Sequence, residues 1–316
     1  MELGGAPSTR KPWFGLLGPL AAGTNGGQRL ELGGHKQREL LALLLINRNR
    51  CLSAARIADA LWHGQPPAGA DATLRSHVSH LRHRLADIGA QQALVTKQTG
   101  YGLFVRPDQI DAAEFEHLLE RGREALQLGD AEHAARLLAE ALSLWRGPVL
   151  DDLEAPEFAK TEAARLEELR LVALDQRIDA DLALGRHDAV IAELERLTVA
   201  HPFRERLHCQ LMLALYRSGR QADALAVASS VRRHLDEELG VDPGPALQHL
   251  ETAILRHDPA LQLAEKAADD TAVPPIALTK YHPPTPVHSL VPRARLVDLL
   301  RAGGRRRLIL IHGPAG

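Results

Sequence analysis

The side chains with the clearest chemical pattern lie on one predicted helix, residues 71–87. At about 100° per residue its apolar residues share one face; they are Leu74, Val78, Leu81 and Leu85. The opposite side is polar and basic, and the helix keeps its two acids at its ends. Hydroxyl, imidazole and guanidinium groups can donate to phosphates or base edges, whereas a carboxylate would repel them. The pattern predicts DNA contact through Thr73, Arg75, Ser76, Ser79, His80, Arg82 and His83.

A predicted hairpin over residues 94–105, with a tight turn at Gly100, supports this interpretation. Four side chains near the turn could reach a phosphate or an adjacent groove: Lys97, Gln98, Thr99 and Tyr101. For Tyr101 alone, packing against the sheet is the favoured alternative.

Other chemistries find less support. His77, His80 and His83 spread over about 120° of the helix, too wide for one metal ion, so no metal site is expected. Asp151 and Asp152 suggest a helix start rather than a catalytic pair. No catalytic motif occurs, and a chain with only two cysteines lacks a zinc module.

The final residues resemble a phosphate loop. A short apolar stretch leads into Gly313 and Gly316, the first and fourth positions of G-x-x-x-x-G-K-[ST], and the sequence ends before the Lys. We expect no cofactor and no nucleotide hydrolysis for this chain, whereas a longer protein could hold ATP and Mg²⁺.

The elements that must position the basic helix form a small head over residues 13–107. Strands are predicted at residues 13–17 and 28–32, around a turn at 23–27, and helices at 37–47 and 54–62, the latter capped by Ser53. With the third helix and the hairpin, this order predicts a winged helix.

Charge separates the head from the rest of the chain. Residues 1–107 hold 13 Lys and Arg against 6 Asp and Glu, and the remainder holds 25 against 34. A basic head suits a polyanion and an acidic body repels one, so nucleic-acid contact is expected in the first third only.

Residues 110–258 predict helical hairpins. Gly129, Gly185 and Gly219 each stand between two Leu- and Ala-rich segments, and the last two lie one tetratricopeptide period of 34 residues apart. An extra loop is expected around residues 145–158. The fold class is therefore mainly α with a small α/β head, and the head and the helical block are predicted to be separate domains.

The remaining segments and the composition complete the organisation. Residues 1–12 are predicted to be disordered, 259–290 to form a Pro-rich linker, and 291–316 to begin a phosphate-loop ATPase domain. The chain has 316 residues, 45% hydrophobic and 25% charged, which excludes a fibrous or wholly disordered protein. Its longest apolar stretch has seven residues, too few to cross a bilayer, so a cytoplasmic protein without a membrane partner is expected.

Several motifs resemble the SARP family of actinobacterial regulators, of the AfsR/DnrI/RedD type. They cover residues 13–258: FGLLGPL at 14–20, LRSHVSHLR at 74–82, GYGL at 100–103, WRGPVL at 145–150, HPFRE at 201–205 and ELGVDPGP at 238–245. INRNR at 46–50 is also similar to mycobacterial members of the EmbR type.

The resemblance implies an OmpR-type winged helix-turn-helix followed by a tetratricopeptide-like bacterial transcriptional activator domain. It implies binding to direct repeats in promoter DNA, self-association on them, and recruitment of RNA polymerase through its sigma factor and alpha subunit. The polymerase-facing loop would contain Trp62, His63, Gly64 and Gln65. It also implies that the chain is the N-terminal part of a larger member carrying a STAND-type ATPase.

The sequence therefore predicts a DNA-binding transcriptional activator, controlling secondary metabolism or cell-envelope genes in an actinobacterium. Two alternatives stay open. One is a fragment of a STAND-type signalling ATPase whose helical array is a protein scaffold, and the other is a repressor.

Overall fold

The structure, a computed structural model, describes residues 11–98, 100–153 and 157–263. The head contains five short strands and three helices, which are β1 (Pro12–Gly15), β2 (Ala21–Thr24), α1 (His35–Ile46), β3 (Leu52–Ser53), α2 (Ala54–Leu61), α3 (Ala70–Ala86), β4 (Leu94–Lys97) and β5 (Gly100–Leu103). The predicted winged helix is confirmed.

The first sheet differs from its prediction. β1 pairs antiparallel with β2, and Pro12 lies opposite Thr24. The prediction of a strand at residues 28–32 is wrong. Within the described residues this segment pairs with β2 through one isolated bridge, between Gly23 and Arg29. Lys11 and Asn25 are also joined by hydrogen bonds, so residues 11 and 12 are ordered. The rest of the predicted disordered N-terminus, residues 1–10, lies outside the described residues.

The second sheet forms the wing. Its strand order is β3-β5-β4, with both pairs antiparallel. The predicted turn at Gly100 is wrong: β4 ends at Lys97, and Gly100 is already the first residue of β5, opposite both Ser53 and Lys97. A Cβ atom at Gly100 would overlap the carbonyl oxygen of Leu52, so this glycine permits a close strand approach rather than a turn.

The second part of the chain is helical, as predicted. Its helices are α4 (Asp111–Gln127), α5 (Ala131–Ser143), α6 (Glu157–Ala183), α7 (His187–Ala200), α8 (Glu205–Arg217), α9 (Gln221–Leu239) and α10 (Pro245–Leu255). Gly129, Gly185 and Gly219 each occupy a helix–helix turn with φ between 77° and 79°, a left-handed conformation that glycine adopts readily.

The expected irregularity between α5 and α6 is confirmed, because the described residues there form turns and bends rather than helix. Asp151 and Asp152 lie in this turn, so their interpretation as a helix start is wrong. Asp152 instead accepts a hydrogen bond from the backbone N–H of Leu20 at 2.7 Å and pairs with Arg38 of α1.

The apolar cores do not follow the predicted division into separate domains. Phe14 and Leu44 of the head belong to one buried cluster with Phe115 and Leu138 of the helical part. A second cluster, around Met212, lies among α6 to α10. The head and the first helices after it therefore share one core, and α6 contributes to both clusters.

The linker predicted to begin at residue 259 starts too early, because the residues there still belong to the folded part of the chain. Residues 259–261 form a short 3-10 turn, and Arg217 Nε donates to the carbonyl oxygen of Leu261 at 2.7 Å. The remaining linker and the ATPase start, with Gly313 and Gly316, lie outside the described residues. Within the described part of the chain, no helix is long and apolar enough to cross a membrane.

Candidate nucleic-acid interface

The central element of the candidate site is α3, which packs through one apolar face. Leu74, Val78, Leu81 and Leu85 are all at most 2% exposed and join the shared core, as the periodicity predicted. Because α3 packs against both α1 and α2, its opposite face is held in a fixed orientation toward solvent.

That opposite face is open. Six of the seven predicted contact residues are exposed: Thr73, Arg75, Ser76, Ser79, His80 and His83. The only acids on α3 or at its ends remain Asp71, in the first turn, and Asp87, at the C-cap. The helix thus presents hydroxyl, imidazole and guanidinium groups over its middle turns without a carboxylate among them.

The seventh residue, Arg82, differs from the rest. It is half-buried, and its Nη2 donates to Thr96 Oγ1 at 2.8 Å and to the carbonyl oxygen of Leu94 at 3.2 Å. Both acceptors belong to β4, so Arg82 joins α3 to the wing. Arg75 has a freer guanidinium: its one hydrogen bond within the described residues runs from Nε to the carbonyl oxygen of Asp71, one turn earlier, at 3.2 Å.

Two further contacts join α3 to α1 and to the segment that precedes α1. Arg84 Nη1 donates to the carbonyl oxygen of Glu31 at 2.7 Å, and the side chains of His80 and Gln37 approach to 3.4 Å. Burial lowers the pKa of the half-buried His77, and the nearby His80 and Lys36 lower it further. His77 therefore favours its neutral form in the folded head.

The wing places a cation at its tip. Lys97 and Gln98 are exposed, whereas Tyr101 is half-buried and packs against the shared core, the alternative weighed for it. Thr99 lies outside the described residues. The Lys97 ammonium lies 5.7 Å from the ring centroid of Phe104, a cation–π contact that the sequence reasoning missed. The hairpin prediction includes Phe104, and an aromatic residue just after a Gly-rich strand is the sequence signal that could indicate such a contact.

The loop between α2 and α3 also reaches the surface. His63, Gly64 and Gln65 are exposed, and Trp62 is half-buried against the core. His63 and Gly64 have φ of 53° and 80°, so two successive left-handed residues turn the chain sharply away from α2. Among residues 11–98, 100–153 and 157–263, no group of three His, Cys, Asp or Glu side chains could hold a metal ion.

The arrangement of the head and the helical part agrees with known proteins. The family described as "Transcriptional regulatory protein, C terminal" matches residues 27–103, and "Bacterial transcriptional activator domain" matches residues 110–255. DnrI of Streptomyces peucetius is 40% identical over 253 residues, which are 78% of this chain and 93% of DnrI. The chain belongs to the SARP family of transcriptional regulators.

Other SARP-family proteins are longer. AfsR of Streptomyces coelicolor is 45% identical over 260 residues, 82% of this chain but 26% of AfsR, so the chain spans about a quarter of that relative. The solved structure of Mycobacterium tuberculosis EmbR in complex with a low-affinity phosphopeptide has a TM-score of 0.75 and 42% identity. That match covers 79% of this chain and 66% of the EmbR chain.

Family membership identifies the two parts. Residues 27–103 are an OmpR-like winged helix, and α4 to α10 are the bacterial transcriptional activator domain, so the chain combines the two domains of SARP-family transcriptional regulators. Both matched families are regulatory domains rather than enzyme families. The shared core therefore joins the winged helix directly to the first helices of the activator domain.

Proposed function

We propose that this SARP-family regulator binds promoter DNA sequence-specifically through α3 and the wing and activates transcription. The observation that carries the proposal is the exposed, carboxylate-free face of α3. A helix of this size fits the major groove, where guanidinium and hydroxyl groups can read base edges. Lys97 would meet a phosphate beside that groove, and the Arg82 contacts would hold α3 and the wing at a fixed separation.

Promoter binding is tested by fluorescence anisotropy with labelled fragments of the regulator's own upstream region, at several salt concentrations. We expect one fragment to bind more tightly than a scrambled fragment of equal length, with affinity falling steeply as salt rises. Arg75→Ala should weaken this binding. Arg196→Ala is the matched control, because Arg196 is an exposed arginine on α7, away from the head.

Two results would contradict the proposal. Equal affinity for specific and scrambled fragments would remove sequence specificity, and unchanged binding by Arg75→Ala would remove α3 from the interface. With either result, a protein scaffold whose winged helix binds protein would be the better interpretation.

Recruitment of RNA polymerase is the second step of the proposed function. The exposed loop at residues 63–65 lies between α2 and α3, so a polymerase sigma factor or alpha subunit could contact it while α3 occupies the groove. In run-off transcription with purified polymerase, Gln65→Ala should reduce activation while leaving promoter affinity unchanged. If the variant activates normally, the polymerase contact lies elsewhere; if the wild-type protein lowers transcript levels, the regulator is a repressor.

Binding to direct repeats requires copies arranged head to tail, since a two-fold dimer would fit inverted repeats. Anisotropy with one repeat, two repeats, and two repeats separated by an extra half turn of DNA measures this directly. We expect the affinity gained from the second repeat to vanish when half a turn is inserted, because the second copy would then face the opposite side of the duplex.

A further inference from the structure

A cleft of about 440 Å³ lies at one end of the helical array, where the Gly185 and Gly219 turns meet the segment that follows α10. We call it the end pocket. Its polar lining consists of His187, Tyr216, Arg217, Gln221, His257 and Gln262. We propose that the end pocket binds a small organic anion, a carboxylate or a phosphate ester, whose charged group pairs with Arg217.

Arg217 is the first reason for this assignment. Its Nε donates to the carbonyl oxygen of Leu261 at 2.7 Å and its Nη1 to that of Leu182 at 2.9 Å. These bonds hold the guanidinium in place without neutralising it, and within the described chain no carboxylate lies within ion-pair distance of it. Burial lowers the pKa of Arg217, as expected for a cation moved away from water without a countercharge. A bound anion would supply that countercharge.

His187 gives an independent indication. Its Nδ1 is fully buried and has no hydrogen-bond partner among the described residues. A buried polar atom without a partner costs free energy. A ligand in the end pocket would recover it by a rotation of the His187 ring, because Nδ1 itself has no exposed surface. Burial, and then the charge of Arg217, lower the pKa of His187, whereas Asp188 raises it.

The helix ends add positive potential. His187 is the first residue of α7 and Gln221 the first of α9, so two helix N-termini meet the end pocket. Neither N-cap residue, Arg186 or Arg220, caps its helix with a side-chain hydrogen bond. Asp188 and Asp223 lie in the first turns of these helices but do not line the pocket, so the helix dipoles still favour a negative charge in the end pocket.

The acids around the pocket are already engaged. Asp188 accepts from Ser218 Oγ at 2.6 Å, and Asp223 pairs with Arg220 at 2.7 Å. Asp258 caps the turn at residues 259–261 through the backbone N–H of Ala260. None of the three lines the pocket, and the lining contains no carboxylate among the described residues, although this part of the chain is acidic overall.

The volume and walls restrict the ligand class. A volume of about 440 Å³ falls within the range of small-molecule pockets. The rings of Tyr216 and His257 lie 6.4 Å apart and provide an aromatic wall beside the cation. A small anion with a planar apolar portion would use both features.

Thermal unfolding of the full chain tests the proposal, with phenyl phosphate and benzoate as probes and sodium chloride at matched ionic strength as reference. A ligand that binds only the folded state raises the melting temperature in proportion to ln(1 + [L]/Kd). We expect at least one probe to raise it with this logarithmic dependence on concentration, described by a single Kd, and the comparison shows whether phosphate or carboxylate is preferred. This readout involves no DNA, so it is independent of the proposed promoter binding.

Two variants and one control place the effect at the end pocket. Arg217→Gln should weaken the probe's apparent affinity by at least about tenfold. Because it also removes two hydrogen bonds, the second variant is Gln262→Glu, which adds a carboxylate to the rim through an exposed side chain and should weaken binding without lowering the ligand-free melting temperature. Arg196→Gln is the matched control, since Arg196 is an exposed arginine of α7 that does not line the pocket.

The proposal is overturned if neither probe stabilises the wild-type chain beyond chloride. It is also overturned if Gln262→Glu and Arg217→Gln keep the full stabilisation, because the anion would then bind elsewhere.

Discussion

Two arginines of α3 differ in their surroundings. Arg82 faces the wing, whereas Arg75 faces the solvent. Arg75 is exposed and donates to a carbonyl oxygen of its own helix, whereas Arg82 donates to two acceptors on β4. A free guanidinium can turn to make a bidentate contact with a base. A guanidinium already bound to the wing contributes mainly to the geometry of the head.

The first prediction separates these roles. Arg75→Ala should cost about 1 to 3 kcal/mol of promoter binding and leave the melting temperature nearly unchanged. Arg82→Ala should weaken binding and also remove about 1 kcal/mol of folding stability, because two hydrogen bonds to β4 are lost. Anisotropy and thermal melts on both variants measure the two effects. If Arg82→Ala keeps its folding stability but loses as much promoter affinity as Arg75→Ala, then Arg82 contacts the bases directly.

His208 illustrates how burial makes stability depend on pH. It is 9% exposed, and its ring N–H donates to the carbonyl oxygen of Pro202 at 3.0 Å. Burial lowers its pKa below 6.5, and His234 lowers it further, while the Pro202 bond and Glu205 raise it. The unfolded chain thus binds a proton at a higher pH than the folded chain does, so acidification below about pH 6.5 favours unfolding.

The second prediction concerns this loss of stability at low pH. The melting temperature should fall between pH 7.5 and pH 5.5, and His208→Gln should reduce this fall, because a glutamine does not titrate and its amide can still donate to Pro202. The fall is reduced rather than abolished, since His77 and His187 also have lowered pKa values. His249→Gln, which changes an exposed histidine of α10, serves as control. An equal pH dependence in wild type and His208→Gln would contradict the argument.

At the scale of elements, the helices of the head and the strands β1, β4 and β5 were predictable from the sequence, whereas β2 and β3 were not. The positions of α1, α2 and α3 and the three glycine turns follow from apolar periodicity, the Ser53 cap and left-handed glycines, all of which are local properties. Ser53 indeed accepts from the backbone N–H of Arg56 at 3.2 Å. These signals act within one or two helical turns, so a single sequence contains them.

The strand β2 has no such local signal. Its residues Ala21, Ala22 and Gly23 are small and have weak strand propensity. Gly23 is required because Trp13 lies opposite it in the sheet, with its indole Nε1 donating to the carbonyl oxygen of Thr24 at 3.2 Å. A side chain at Gly23 would contact this ring and would overlap the carbonyl oxygen of Gln28. The need for small residues therefore comes from a neighbouring strand, which the local pattern does not show.

Gly100 provides the third prediction. Gly100→Ala should destabilise the head by about 1 to 3 kcal/mol and weaken promoter binding, because the new methyl group would push β5 away from β3 and displace the wing. Gly34→Ala is the matched control: its φ is -71° and a Cβ atom there would meet nothing within 4 Å. Thermal melts and anisotropy on both variants check the expectation. Similar results for the two variants would show that β3 and β5 can separate without consequence.

At the scale of the molecule, the connection between the winged helix and the activator domain rests on a few polar contacts over a common core. The Asp111 carboxylate accepts from the backbone N–H groups of Leu16 and Leu17 at 2.7 and 3.1 Å and pairs with Arg146 at 2.9 Å. Arg146 also donates to the carbonyl oxygen of Pro19 at 2.9 Å. Sequence alone placed a domain boundary here, because composition changes at residue 107 and the contacts join residues almost a hundred positions apart.

The last prediction uses this connection. Asp111→Ala would leave two backbone N–H groups and the Arg146 guanidinium without their acceptor in a site where the carboxylate is 10% exposed. We expect a loss of about 3 to 5 kcal/mol of folding stability. Asp108→Ala is the control, since Asp108 pairs with Arg106 at the exposed surface and its loss should leave the melting temperature nearly unchanged.

The same variant tests whether the two parts unfold together. Two single-tryptophan proteins report on them separately, one keeping Trp62 in the head and the other keeping Trp145 before α6. Because Phe14 and Phe115 belong to one core, both probes should give the same midpoint in the wild-type background, and Asp111→Ala should lower both midpoints equally.

If the Trp62 midpoint fell alone, the head would fold independently, and the orientation of α3 would not depend on the activator domain. If both fall together, any ligand or partner that stabilises the first helices of the activator domain also stabilises the DNA-binding head, because they form one cooperative unit.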